Sequence, residues 1–191
     1  MNASIKRITL YGVISALLSV GGDAGILDGR SRHLIVPGSL TAKFNILSTR
    51  GSKTVRSAGE VVVGKSRQFR VDFTAPSRRT LCGVMDKVLD IHHPSQSATI
   101  YDARMFADLM QIIKGAYHYR GHWYKSNYHG FHFMIQESRG KIAFLRFVDG
   151  QDFDNQVRLS GVHYGGRKSD NFFQCRVPSG YDVIYDKKEK R

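Results

Sequence analysis

Cysteine, proline and acidic residues are scarce in this sequence, which limits the kinds of protein it can encode. The 191 residues include two cysteines, four prolines and 16 acidic side chains. Two cysteines are too few for a disulfide scaffold or a structural zinc site, although Cys82 and Cys175 could form one disulfide in an oxidising compartment. The 41% share of hydrophobic residues fits one globular domain with a real core. The composition excludes a disordered tail, a coiled coil, a collagen and a multi-spanning membrane protein.

Positive charge is what the sequence has in excess. Lysine and arginine number 29, and the formal net charge is +13. Such an excess favours an anionic partner, which could be nucleic acid, an acidic membrane surface or an acidic protein. The composition alone does not choose among these three.

The first residues have the layout of an export signal. Lys6 and Arg7 precede an uncharged stretch over residues 8–22, and small residues follow it. This order is typical of a secretory signal peptide, and the stretch is shorter than the roughly 20 residues that span a bilayer. We therefore expect residues 1–24 to be a signal peptide and residues 25–191 to be the exported domain. A buried N-terminal helix is the alternative.

Most of the remaining sequence predicts β-strands. Short stretches alternate apolar and polar residues, as in Phe69–Phe73, or are rich in β-branched residues, with glycine and polar turns between them. Strands of this kind favour one curved antiparallel sheet. The predicted strands are Leu40–Leu47, Gly59–Val63, Phe69–Phe73, Leu81–Val84, Val88–Ile91, Gly130–Gln136, Lys141–Val148, Gln156–Val162 and Phe172–Val177.

One segment in mid-chain predicts a helix. Phe106–Lys114 places four apolar side chains at helical spacing, and Gly115 follows as a stop signal. A short amphipathic helix in a sheet protein can cover the concave face of the sheet. It either closes the core or forms a lid over a cavity, and the spacing does not separate these two roles. The four apolar residues are Phe106, Leu109, Met110 and Ile113.

The sequence has no recognisable catalytic motif. It contains no GxSxG, no Gly-rich phosphate loop and no HExxH. Its acidic residues are scattered, mostly at turns such as Asp149–Gly150, where a tight turn is expected. We therefore expect a protein that is not an enzyme and that needs no cofactor.

The segment Tyr117–Phe133 holds four histidines among aromatic and basic residues. Histidine is a common zinc and copper ligand, so the cluster suggests a metal site. The aromatic residues favour a pair of strands, on which the imidazole rings need not converge, and we expect no metal here. The same mixture could bind nucleic acid by stacking and phosphate contacts, but an export signal argues against that interpretation. The four histidines are His118, His122, His129 and His132.

Four segments of the chain occur in an order and spacing that match a known family. LTAKF stands at residues 40–44, GEVVVGKSRQFRVDFTAP at 59–76, LCGVMDKVLDIHHP at 81–94 and FFQCRVPSGYDVI at 172–184. The second segment aligns without a gap on a family pattern of strand, basic turn and strand ending in proline. Together with the export signal, these segments resemble the periplasmic lipoprotein carriers of the LolA family.

The resemblance implies a fold and a function. The fold is an incomplete antiparallel β-barrel, mainly β, whose concave apolar face is covered by a short helical lid. Family members receive triacylated lipoproteins from an inner-membrane ABC transporter, shield their acyl chains and pass them to an outer-membrane acceptor. For this chain the resemblance implies the same three partners, a periplasmic location, transient contact with the membrane surface, a monomer and no nucleic acid. A relative of the same fold that carries a glycolipid or an envelope polymer is the alternative.

The resemblance also assigns a cavity. Phe69 occupies the position of the family's inward-facing aromatic residue, and Val71 and Phe73 share its face by the period of two. Further cavity residues are expected on the neighbouring strands and on the helix. The expected lipid-binding cavity consists of Phe44, Phe69, Val71, Phe73, Leu89, Ile91, Leu109, Met110 and Ile113.

A lid latch is implied as well. In the family an arginine of the basic turn hydrogen-bonds to the lid helices and holds the empty form closed. The alignment places Lys65 at that position, and Arg67 is the alternative. Lysine lacks the planar guanidinium fork of arginine, so the latch is expected to be weaker with Lys65. The chain also has Asp90 where the family commonly has tryptophan.

Overall fold

The computed structural model describes residues 34–35, 37–64, 68–84, 86–102, 109–166 and 168–185. In these ranges the chain forms twelve β-strands and two short helices. Helix α1 (Leu109–Lys114) lies between β6 and β7, and helix α2 (Asp170–Phe173) lies between β11 and β12. The strands are β1 (Leu40–Arg50), β2 (Lys53–Val63), β3 (Phe69–Ala75), β4 (Arg79–Val84), β5 (Lys87–His92), β6 (Ser97–Asp102), β7 (Tyr117–Arg120), β8 (Trp123–Tyr128), β9 (Phe131–Ser138), β10 (Lys141–Val148), β11 (Asp154–Tyr164) and β12 (Asp182–Tyr185).

All these strands belong to one open sheet. Their order is β12-β6-β5-β4-β3-β2-β1-β11-β10-β9-β8-β7, and the sheet does not close into a barrel. Neighbouring strands are antiparallel except β12, which runs parallel to β6. The mainly β half-barrel with a small helix, predicted from the sequence, is confirmed.

The sheet consists of two meanders joined at one seam. Strands β1 to β6 follow one another in space as they do in sequence, and so do β7 to β11. The seam pairs β1 with β11 and places Leu40 opposite Tyr164 and Thr49 opposite Asp154. A register shift between Thr41 and Lys43 interrupts this pairing. The seam therefore makes one continuous sheet of two locally connected halves.

The alternating pattern of each strand decides which side chains enter the core. On β1, Leu40, Ala42, Phe44 and Ile46 are buried, whereas the side chain of Lys43 is exposed. Cross-strand partners share a face, so the same inward set continues on both sides of β1. This inner face of the sheet, together with α1, forms the main hydrophobic core.

One predicted strand is wrong and two observed strands were not predicted. Phe172 and Phe173 lie in helix α2, and the rest of the predicted strand Phe172–Val177 is irregular. This segment crosses the outer face of the sheet, where Phe173 is buried and Cys175 forms a disulfide with Cys82, so it does not pair with a strand. Strands β6 and β12 were missed. The strand pair expected within Tyr117–Phe133 is present as β7 and β8, followed by β9.

The turn expected at Asp149–Gly150 connects β10 and β11. The Asp149 carboxylate is buried and accepts hydrogen bonds from the backbone amides of Gln151 and Phe153 and from the side-chain amide of Asn155. A carboxylate held by several donors fixes the turn. Asp149 therefore has a structural role in the described part of the chain.

Within the described residues, no helix combines the length and the apolar character needed to cross a bilayer.

Candidate functional site

The inner face of β3 carries three side chains that were predicted to line the cavity. Phe69, Val71 and Phe73 all point into the core and are at most 3% exposed. Phe44 of β1 packs edge-on against Phe73, with 5.1 Å between the ring centroids. The period of two places Phe69, Val71 and Phe73 on one face of β3, and the pairing of both Phe44 and Phe73 with Gly59 places Phe44 on the same face.

Two glycines make room for these rings. Gly83 lies opposite Phe69 on β4, and a Cβ atom there would overlap the Phe69 ring. Gly59 lies opposite both Phe44 and Phe73 on β2, and a Cβ atom there would overlap the backbone carbonyl oxygen of Asp72 and come within 2.8 Å of Phe44 Cζ. The Phe69 ring thus fills the space in front of Gly83, whereas the Asp72 backbone and the Phe44 ring together fill the space in front of Gly59. Sequence reasoning missed this, although a glycine inside a strand is a recognised sign of close approach.

Helix α1 covers part of the inner face. Leu109, Met110 and Ile113 are buried in the main core, as is Ile112, which was not predicted. The helix packs against β8, where Ser126 lies beneath the turn that follows the helix. The Ser126 hydroxyl is buried and has no hydrogen-bond partner within the described structure. Four of the six residues of α1 are thus apolar and buried.

Leu89 and Ile91 lie on the other face of the sheet. Asp90 is opposite Leu81, and Leu81 is opposite the inward-facing Val71, so Asp90 points inward. Its neighbours Leu89 and Ile91 therefore point outward, and neither belongs to the main core cluster. This placement differs from the sequence prediction, which assigned both residues to the cavity.

A buried ion pair lies on the inner face beside the aromatic cluster. Arg79 of β4 and Asp90 of β5 form two parallel hydrogen bonds between guanidinium and carboxylate. Their side chains are 7% and 8% exposed, and the Arg79 guanidinium lies 6.0 Å from the centroid of the Phe73 ring. The pairing satisfies both charges in a place where an unpaired charge would be costly. It explains why an aspartate can occupy this inward position.

The outer face of the same strands is covered by the C-terminal segment. The Cys82–Cys175 disulfide joins β4 to the residues after α2. The guanidinium of Arg70 lies 5.2 Å from the centroid of the Phe172 ring. Further along, the Tyr181 hydroxyl lies 3.2 Å from Nδ1 of His93, at hydrogen-bond distance. The disulfide that the sequence left open is therefore present and holds this cover in place.

The environment of His93 lowers the pKa of its imidazole below the ordinary value. Burial is the largest cause, because it disfavours the charged ring, and the positive charge of Arg78 acts in the same direction. His92 adds a smaller effect of that sign, and Asp72 opposes it. The neutral ring can then exchange hydrogen bonds with Tyr181 and Thr80.

The four histidines between Tyr117 and Phe133 do not converge. A ring nitrogen of His118 lies 3.0 Å from the carbonyl oxygen of Gly121, and one of His132 lies 2.7 Å from Oδ1 of Asn127. Over the ranges that the structure describes, no group of three or more histidine, cysteine or acidic side chains is arranged to hold a metal ion.

Three further predictions fall on residues outside the described ranges. They are the latch residues Lys65 and Arg67, the signal peptide at residues 1–24, and Phe106 at the start of the predicted helix. All three remain predictions from the sequence.

Comparison with known proteins supports the fold. No protein-family model matches the chain, and no curated protein sequence matches it significantly. An uncharacterised conserved protein from Thermus thermophilus aligns with a TM-score of 0.51 at 12% identity, over 78% of this chain and 91% of that one. A LolA superfamily protein from Nitrosomonas europaea aligns with a TM-score of 0.45 at 6% identity, over 74% and 92%. A DUF1329 family protein from Desulfovibrio piger gives 0.43 at 8% identity, over 74% and 91%. The Thermus thermophilus protein thus shares the fold of this chain.

Proposed function

We propose that this protein is a non-catalytic carrier that holds the acyl chains of an amphiphile between the inner face of its sheet and helix α1. The observation that carries the proposal is the inner face itself, which is largely apolar from β3 across the seam to β8 and has a short apolar helix over it. A sheet of this shape offers a long apolar surface that a helix can cover or expose.

Acyl chains suit such a surface because their binding needs area more than directional contacts. Each buried methylene group contributes about 0.8 kcal/mol, so about ten buried groups contribute about 8 kcal/mol. Polar groups on the inner face include two satisfied pairs, the Arg79–Asp90 ion pair and the hydrogen bond from Ser48 to Asn155. Transfer of this kind requires no bond to be made or broken.

Entry of the ligand would occur on the side of α1. The helix has only six residues, and its packing against β8 is largely apolar. The β3–β5 side of the sheet is fixed by the Cys82–Cys175 disulfide and by the Arg79–Asp90 pair. Apolar packing can be exchanged for acyl chains at little cost, whereas a disulfide cannot. Movement of α1 away from the inner face is therefore the opening step that we expect.

Acylated lipoproteins are the cargo that we propose. The support is the resemblance of the sequence segments to the LolA carriers, together with the signal-like N-terminus and the disulfide, which is typical of exported proteins. An inner-membrane ABC transporter as donor, an outer-membrane acceptor and a periplasmic location belong to the same proposal. Glycolipids are the next cargo to compare, since they present similar acyl chains.

The test is whether the protein keeps an acylated cargo soluble. The purified chain would be mixed with a triacylated lipoprotein in detergent, the detergent removed, and the products separated by size exclusion. We expect a soluble 1:1 complex that requires the acyl chains and is lost in Phe69→Glu, because Phe69 is 3% exposed on the inner face. Val62→Glu is the matched control, since Val62 is half-buried on the outer face of the adjacent strand.

Circular dichroism would verify that both variants are folded. Complex formation that ignores the acyl chains, or that survives in a folded Phe69→Glu protein, would overturn the carrier proposal. A soluble complex with a glycolipid but not with the lipoprotein would keep the inner face as the binding site and change the cargo.

A further inference from the structure

Strand β7 forms one end of the sheet and is exposed on both faces. Each of its four residues is exposed, and the side chains of Tyr117 and Tyr119 are 51% and 45% accessible. It follows α1 after only Gly115 and Ala116. Large exposed aromatic side chains on an edge strand next to the proposed lid indicate a surface that binds a partner.

Cations lie on the rings of this surface. The ammonium of Lys125 is 3.7 Å from the centroid of the Tyr119 ring, and the guanidinium of Arg120 is 5.4 Å from the same centroid. Lys125 is also directly opposite Tyr117 in the ladder between β7 and β8. Aromatic and cationic side chains therefore alternate at short range along this end of the sheet.

The same alternation continues on the outer face toward the seam. Trp123 of β8 packs edge-on against Phe144 of β10, with 5.9 Å between the centroids. The Arg158 guanidinium of β11 lies 5.9 Å from the centroid of the Phe144 ring. We name the set Tyr117, Tyr119, Arg120, Trp123 and Lys125 the edge surface; Phe144 and Arg158 extend it.

Negative charge is scarce in the part of the chain that builds the edge surface. Between Leu109 and Gln136 there is no aspartate or glutamate, whereas the stretch contains Lys114, Arg120 and Lys125 as well as four histidines. The next residue, Glu137, is acidic, and its carboxylate lies 3.8 Å from Nδ1 of His122 in the β7–β8 turn. Basic residues next to exposed tyrosines and a half-buried tryptophan, with few acidic residues nearby, are typical of surfaces that lie at the headgroup level of an anionic bilayer.

We propose that the edge surface docks this protein on anionic phospholipid membranes. Lys125 and Arg120 attract the headgroups, and Tyr117, Tyr119 and Trp123 occupy the interface between headgroups and acyl chains. The docking does not depend on which amphiphile the inner face carries. Because β7 follows α1 almost directly, docking brings the side of the proposed lid next to the lipid.

A membrane explains these contacts better than a nucleic acid does. Base stacking uses the faces of aromatic rings, but a cation already lies on a face of the Tyr119 ring and of the Phe144 ring. Trp123 packs edge-on against Phe144, so its surroundings favour contact with another side chain over stacking on a nucleic-acid base. Headgroups can instead be bound by the cations while the ring edges face the lipid.

Trp123 provides a direct measurement, because it is the only tryptophan of the chain. The full protein would be titrated with vesicles of phosphatidylglycerol and phosphatidylethanolamine, and with vesicles of phosphatidylcholine alone, without any lipoprotein present. We expect a blue shift of the Trp123 emission and co-sedimentation with the anionic vesicles, both reversed by high salt, and neither with phosphatidylcholine.

Charge reversal then locates the surface. The double variant Arg120→Glu/Lys125→Glu should weaken binding by more than about tenfold, since each basic residue near an anionic surface contributes about fivefold. The matched control Lys87→Glu/Arg176→Glu changes the net charge equally at exposed positions outside the edge surface and should bind almost as well as the unmodified protein. Tyr117→Ser/Tyr119→Ser should reduce the blue shift while the charge is kept.

Three results would overturn the proposal. They are no binding to the anionic vesicles, an equal loss in the two charge-reversal variants, and tight binding of a single-stranded oligonucleotide with Trp123 quenching while vesicles do not bind. The last result would assign the edge surface to nucleic acid. None of these results bears on acyl-chain binding at the inner face, which the lipoprotein experiment measures separately.

Discussion

At the scale of single residues, the inner face depends on positions that lack a side chain. The Phe69 ring occupies the space in front of Gly83, and the Phe44 ring lies close to Gly59. Neither glycine has the positive φ angle that only glycine adopts easily, so space and not backbone conformation makes these glycines necessary. The shape of the inner face is thus determined by pairs of residues on adjacent strands.

Gly83→Ala should therefore destabilise the protein by about 1–3 kcal/mol, because the added methyl group forces the Phe69 ring out of its place. The free energy of unfolding, measured with urea, tests this. Gly150→Ala is the matched control, since a Cβ atom there meets its nearest atom, Phe131 Cζ, at an ordinary 3.9 Å. Equal stability of the two variants would contradict the close packing of Phe69 on Gly83.

The pKa of His93 makes a second prediction at this scale. Its folded-state pKa is below the ordinary 6.5, mainly through burial, so as the pH falls the unfolded chain takes up the proton first. The contribution of His93 to stability is therefore complete above pH 6.5 and decreases as the pH falls below it. Urea unfolding on both sides of pH 6.5 should show a smaller pH dependence in His93→Gln. Parallel pH curves for the two proteins would exclude the effect.

At the scale of elements, the disulfide between β4 and the segment after α2 links residues 93 positions apart. A cross-link over so long a loop restricts the unfolded chain, and native disulfides contribute about 2–5 kcal/mol. Cys82→Ala/Cys175→Ala should lower the free energy of unfolding by that amount. The reduced form of the unmodified protein should be destabilised similarly, whereas a reductant should leave the double variant unchanged. A stability independent of reductant in the unmodified protein would contradict the structure.

The alternation of apolar and polar residues predicted those strands whose two faces differ in burial. It identified β1, β3 and β10 because apolar and polar residues alternate there between core and solvent. It missed β12, whose four residues are all exposed, and β6, where adjacent residues Ala98 and Thr99 are both buried. A strand without two different faces gives no period of two.

For a related reason, the sequence could not predict which side chains of β5 point inward. Apolar residues occupy both parities of the strand, since Val88 and Leu89 are adjacent. The apolar pattern therefore fits either face. The register with β4 settles the matter and turns Asp90 inward, where its carboxylate pairs with Arg79 across the β4–β5 hairpin. No pattern within β5 itself predicts the pairing of Asp90 with Arg79.

At the scale of the whole molecule, the two ends of the sheet differ in what holds them. The β4–β6 end carries the Cys82–Cys175 disulfide on its outer face, the Arg79–Asp90 pair on its inner face and the parallel strand β12 at its edge. The β7–β8 end carries exposed aromatic and basic side chains and the short helix α1. The proposed opening and the proposed docking therefore belong to the same end of the molecule.

The seam between β1 and β11 also determines the order in which the chain can assemble. Each meander forms from neighbours in the sequence, but the seam pairs Thr49 with Asp154 and has to close the longest loop of the sheet. Loop closure over such a distance is slow because its entropy is lost before the contacts form. The two halves should therefore become ordered first, and the continuous inner face should exist only after β1 has paired with β11. Binding of acyl chains would then be a property of the last folding step.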